Sequence, residues 1–181
     1  MERLDLATAP AKVLEDIRRY LTELRRIVPP SVQSVGEGIA VLSAIRQASY
    51  EDLNQIQHEY AALCAARWLV NNGHSDGDPE WQWNPRQTGD SSEPDVRAVR
   101  DGQVLVSAEV TTSLSPKGVI DTRMGKTLAK LAGMQGKKFY FVLSRQMEVR
   151  ARTKVQKGAL PVTVVLLEAA DAETVGRELL G

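Results

Sequence analysis

The stretch SSEPDVRAVRDGQVLVSAEVTTS, residues 91–113, constrains the fold of this chain more than any other. Strand-forming residues lie on both sides of Asp101-Gly102, a dipeptide that favours a tight β-turn, so the stretch is predicted as a β-hairpin. Asp95 and Glu109 sit near its opposite ends. Side chains alternate along a strand, which puts Glu109 on one face with Leu105, Ser107 and Thr111. The face of Asp95 depends on the turn. A two-residue Asp101-Gly102 turn sets Asp95 opposite Ala108, on the other face. A three-residue Arg100-Asp101-Gly102 turn, with Gly in the left-handed position, sets it opposite Ser107, one pleat from Glu109. Asp-Gly suits both turns. In the second case two carboxylates converge, repel each other, and have little structural use unless a cation sits between them. Mg²⁺ is commonly held by one or two carboxylates with water and substrate phosphate, and an ion so held can activate a water.

The elements around the hairpin follow from periodicity. Apolar residues at helical spacing predict a helix over 10–28, ended by Pro29-Pro30. Residues 31–48 read as helix weakened by Gly36 and Gly38. Ser49 with Asp52 looks like the start of a new helix over 50–71, stopped by Asn71-Asn72-Gly73. Residues 73–80 read as a loop and Trp81-Gln82-Trp83 as a short strand. After the hairpin come a turn at 114–118 and a helix over 119–134. A central strand over 137–144 follows, then a connection or short helix over 145–158 and a buried strand over 160–168. Asp171 caps a last short helix. The order predicts an α/β sandwich around a mixed central sheet, with residues 1–49 as an N-terminal helical extension and 50–181 as the core.

Length and chemistry narrow the class. A chain of 181 residues buries a real core as one domain, or one domain with a small extension. The one cysteine, Cys64, permits no internal disulfide and favours a reducing, cytoplasmic setting. The start MERLDLATAP is not a secretory signal, and no apolar run approaches the roughly 18 residues of a membrane span. Net charge is zero but unevenly spread. From Lys117 to Lys157 there are eleven basic residues against two acidic ones, Asp121 and Glu148. That segment suits a polyanion, or is a solvated basic surface balanced elsewhere. Cys64 is expected as a small core residue, and Trp81 and Trp83 as core or sheet-edge packing. Met124-Gly125-Lys126-Thr127 lacks the upstream glycine of a phosphate-binding loop, since residue 120 is Ile. His58-Glu59 lacks the second histidine of a zinc motif, since residue 62 is Ala.

GDSSEPDVRAVRDGQVLVSAEVTT resembles the PD-(D/E)xK nuclease superfamily, whose fold is restriction-endonuclease-like. Pro94-Asp95 matches the first half of the motif and Glu109-Val110-Thr111 the second, with Thr where the family has Lys. The spacing, the hairpin and the following basic helix and apolar strand also fit, over about residues 50–168. The resemblance implies a Mg²⁺- or Mn²⁺-dependent endonuclease acting on DNA. Asp95, Glu109 and the Val110 carbonyl would hold the metal, with help from an acid on the preceding helix, for which Glu59 qualifies. On the helical projection Glu59 lies at the edge of the apolar face, and His58 points to solvent. Thr111 occupies the lysine slot, so Lys126 or Lys117 is expected to supply the missing charge. Arg123, Lys130, Lys137, Arg145, Arg150, Arg152 and Lys154 would grip the phosphate backbone. A homodimer through helices 10–48 would let one site per chain cut both strands. The competing expectations are a nuclease-like module without catalysis that binds nucleic acid or a protein, and an unrelated α/β protein.

Overall fold

The computed structural model describes residues 1–74, 76–85 and 92–168, with side chains except those of 50 and 51. The helix expected after Asp171 lies outside the described residues. No helix among them is long and apolar enough to cross a membrane.

The chain is an α/β sandwich. In order, the elements are β1 (Glu2–Arg3), α1 (Ala9–Ile27), α2 (Val35–Asn71), β2 (Glu80–Trp83), β3 (Val96–Arg100) and β4 (Gln103–Thr111), then α3 (Val119–Ala132), β5 (Lys137–Val142), α4 (Arg145–Lys157) and β6 (Thr163–Leu166). The strands form one open mixed sheet in sequential order, β1 to β6. Neighbours from β1 to β4 are antiparallel, and β4, β5 and β6 are parallel. Parallel neighbours need a long crossover, and α3 and α4 supply the two.

Strand alternation assigns the layers. Val106, Ala108 and Val110 of β4, with Phe139, Phe141 and Val165, pack with α2 and the start of α1. Tyr140, Val142 and Val164 pack with Met124, Leu128 and Leu131 of α3 and Met147 and Ala151 of α4. Alternation therefore turns Ser107, Glu109 and Thr111 towards the α3 side. Cys64, Trp81 and Trp83 lie in the core as expected.

One expected break is absent. Ser49 starts no helix, because α2 runs without interruption from 35 to 71, across the 49/50 boundary. Its cap is Ser34, whose hydroxyl accepts from Glu37 N at 3.1 Å, while the Glu37 carboxylate accepts from Gln33 N at 2.7 Å. This is the same chemistry assigned to Ser49 and Asp52, fifteen residues earlier in the chain. Gly36 and Gly38 fall in the first turn of α2 and do not interrupt it.

The hairpin differs from both expected registers. Its turn has two residues, Asp101 and Gly102, both with positive φ (51° and 75°), and Arg100 pairs with Gln103. The register shifts further along the strands. Val99 pairs with Val104 but Ala98 pairs with Val106, so Leu105 is an extra residue in β4. Arg97 then pairs with Ser107 and Val96 with Ala108. The next step outward sets Asp95 opposite Glu109, so the bulge brings together two acids that the turn alone would keep apart.

Gly136, in the turn between α3 and β5, lies over this bulge. Its φ is +74°, and a Cβ there would come 2.5 Å from the Leu105 carbonyl carbon. Gly136→Ala should destabilise the fold by about 3 kcal/mol, combining backbone strain and overpacking. Urea unfolding checks this, and an unchanged midpoint would show that the bulge accommodates a methyl group.

Candidate active site

Both acids are buried, Asp95 at 5% exposure and Glu109 at 6%. The Asp95 Oδ2 atom accepts from the Val110 N–H at 2.7 Å. His58 Nε2, from α2, lies 3.3 Å from the same oxygen. Lys130 Nζ, from α3, lies 2.7 Å from Glu109 Oε1. Lys130 is the partner that the described residues give this buried oxygen. Helices on opposite faces of the sheet thus reach the same pair of acids.

The electrostatics follow from burial and crowding. Burial, and then the charge of Asp95, push the Glu109 carboxyl up to about 7, and Lys130 and His58 only partly offset this. Burial opposes the charged form of His58, but its hydrogen bond to Asp95 and the charges of Asp95, Glu109 and Glu59 outweigh burial and raise its pKa. Thr111 is hydrogen-bonded to Tyr140, the β5 residue in register with Glu109. Its hydroxyl also accepts from Ser113 N at 3.3 Å.

Three sequence expectations change here. His58 does not point to solvent; it faces Asp95. Glu59 turns to α1 instead, where Lys12 Nζ lies 3.1 Å from its carboxylate, 3.3 Å from Asp16 and 5.5 Å above the Trp83 ring. The projection misled because α2 is enclosed on every side at this depth: every residue from Ala61 to Ala66 is buried, and no single apolar face exists. The lysine that reaches the acids is Lys130, one turn beyond Lys126. Lys126 and Lys117 are exposed and form no ion pair among the described residues.

The basic segment divides in two. Asp121 holds Arg150 through two bonds of 2.7 and 2.9 Å and Lys154 at 3.2 Å. Arg150 first, then Lys154, hold its carboxyl below the usual range, against a smaller desolvation effect. Glu148 holds Arg145 and Arg152. The two acids of the segment therefore engage four of its cations, all on α4. Arg123 and Lys126 on α3, with Lys137 at the start of β5, are exposed and without an ion pair among the described residues.

The residues fit a hard divalent ion of the kind that takes one or two carboxylates and completes its shell with water and phosphate oxygens. Among the described residues Val110 N–H and His58 both meet Asp95 at Oδ2, and Glu109 Oε1 meets one cation, Lys130. They do not make an all-protein cage: among the described residues no three His, Cys, Asp or Glu are grouped to hold a metal. Compared with known protein families, curated proteins and solved structures, the chain matches none.

Proposed function

We propose that this chain is a metal-dependent nuclease that hydrolyses phosphodiester bonds in DNA, on a restriction-endonuclease-like variant of the α/β sandwich. The observation that carries this reading is the buried Asp95–Glu109 pair, set face to face by the Leu105 bulge with Lys130 beside it. A buried carboxylate, Glu109, crowded by the charge of a second, Asp95, makes a poor structural element and a good seat for Mg²⁺ or Mn²⁺. An ion held there would supply a water of lowered pKa and neutralise charge on the phosphoryl group.

The chain's own residues have separate tasks. Asp95 and Glu109 present the oxygens, and the resemblance adds the Val110 carbonyl. Val110 N–H and His58 fix Asp95 by its Oδ2 atom. Lys130 supplies the positive charge that Thr111, in the family's lysine slot, does not carry. Arg123 and Lys126, at i and i+3 on α3, lead along the exposed face to Lys130 and suit successive phosphates. Glu59, engaged by Lys12, has no part in this reading.

One observation favours a second reading, a nuclease-like module without catalysis. Thr111 is engaged by Tyr140 and Ser113, and Lys130 and His58 already partner the two acids. Incubating supercoiled plasmid with the protein and Mn²⁺, beside a Glu109→Ala control, separates the two. Nicking by the parent chain alone supports the nuclease. Salt-sensitive binding without nicking supports the module, and equal nicking by both proteins would remove Glu109 from the chemistry.

The positioning of Asp95 has its own test. Outer groups that orient a metal ligand are typically worth about 10- to 100-fold in metal affinity. His58→Leu should weaken Mn²⁺ binding by about tenfold or more, and His58→Gln, which keeps a donor, should restore part of it. Titration calorimetry measures this, with circular dichroism of the metal-free proteins as the folding control. Unchanged affinity in His58→Leu would remove His58 from the site.

A further inference from the structure

We infer that the outer half of the helical hairpin formed by α1 and α2 is a self-association surface, and that its occupant is a second copy of this chain. The inference does not depend on the nuclease reading.

The two helices differ in length. α1 has 19 residues and α2 has 37. They run antiparallel: Lys12 meets Glu59, and Tyr20 Oη bonds Ser49 Oγ at 2.7 Å. Paired residue numbers therefore add to about 70, and Ile27, where α1 ends, falls alongside about residue 43 of α2. Nothing from α1 is left to cover Val35–Leu42. The sheet does not cover them either, since among the described residues none from 18 to 55 belongs to the apolar core against the sheet.

That uncovered stretch is apolar. Val35, Ile39 and Leu42 lie at i, i+4 and i+7, on one line of the helix, and are 85%, 59% and 62% exposed. Val28 and Val32 in the connection (both 51%) flank them. No residue from Gly38 to Ile45 is charged. A propensity argument does not explain such a stripe, because polar residues form an exposed helix equally well.

Area and symmetry select the occupant. The five side chains expose on the order of 500 Å², so two copies face to face would bury on the order of 1,000 Å², the lower bound of a biological interface. A line of aliphatic residues without charge is complementary to itself under a two-fold rotation, and two antiparallel helical hairpins so joined make a four-helix arrangement. That line offers a foreign partner nothing to recognise by ion pairing, and the one charge beside it, Glu37, is held by Gln33 N.

Light scattering of the full chain across the micromolar range should show a dimer that dissociates on dilution, and its melting temperature should rise with concentration. Ile39→Asp with Leu42→Asp should weaken association more than tenfold and leave the helical signal of the dilute protein unchanged, because neither side chain is buried in the single chain. A parent chain that stays monomeric with a concentration-independent melting temperature overturns the inference. So does a double variant that dimerises as the parent does. If the double variant fails to fold, the concentration dependence of the parent chain decides alone. A monomer that instead captures a different protein counts against the second copy.

Discussion

Without divalent ions and at about pH 8, the Glu109→Gln protein should melt above the parent chain, and with Mn²⁺ it should not cleave DNA. The two effects point in opposite directions, and each has a stated cause. Glu109 is an acid whose pKa is raised on folding, from the usual 4.5 to about 7. Its stabilising effect on the fold is full below its unfolded value and is lost as pH rises through the folded one. Between about pH 4.5 and 7 the parent chain should therefore lose up to about 3 kcal/mol of stability. Glutamine keeps the shape without the charge and removes most of that decline. His58, raised as well, loses stability in the same direction and should leave a smaller residual slope near neutrality. Mn²⁺ should restore stability to the parent chain at about pH 8 and do little for Glu109→Gln. Thermal melts across the pH range, with and without Mn²⁺, measure all of this. A parent chain whose metal-free stability is flat from acid to neutral pH contradicts the electrostatic account of the pair.

Lys130→Met should lower the cleavage rate by about 10²- to 10³-fold, the usual cost of removing one charge-stabilising donor from a buried site. Lys130 is the cation in contact with Glu109 on the described part of the chain. Its loss should also push the Glu109 carboxyl further up and steepen the acid-to-neutral decline in stability. Lys126→Met and Lys117→Met should leave the rate at saturating DNA nearly unchanged. For Lys126 the expected cost is weaker binding with a smaller salt slope. Thr111→Lys added to Lys130→Met tests whether the motif position can take the charge back, and recovered cleavage is the expected result. A Lys130→Met protein that cleaves at the parent rate would move the catalytic charge elsewhere.

Much of the architecture could be read from the residues. Periodicity located α1, α3, β2 and β5 to within a few positions, and the Asp-Gly turn located the hairpin. What escaped depends on contacts between distant segments. The Leu105 bulge has no local signature, since QVLVSAEV alternates like any regular strand. It is fixed in place where the backbone of Gly136 crosses it, some thirty residues away in the chain. The exchange of roles between His58 and Glu59 was hidden because α2 is buried on all sides there, which defeats a one-face projection. Which lysine of α3 meets Glu109 depends on how the helix packs on the sheet, and no local pattern in the sequence fixes that. Strand β1 is two residues long, too short for any periodic pattern. The pair Asp95–Glu109 was legible as a pair, but the register that joins them was not.

Calorimetric titration of the metal-free protein with Mn²⁺, beside Asp95→Asn and Glu109→Gln, decides whether the two acids hold an ion. The parent chain should show one site, with binding that releases protons near neutrality as Glu109 ionises, and neither variant should bind. Absence of binding in the parent chain, or equal affinity in all three proteins, would contradict the two-acid site.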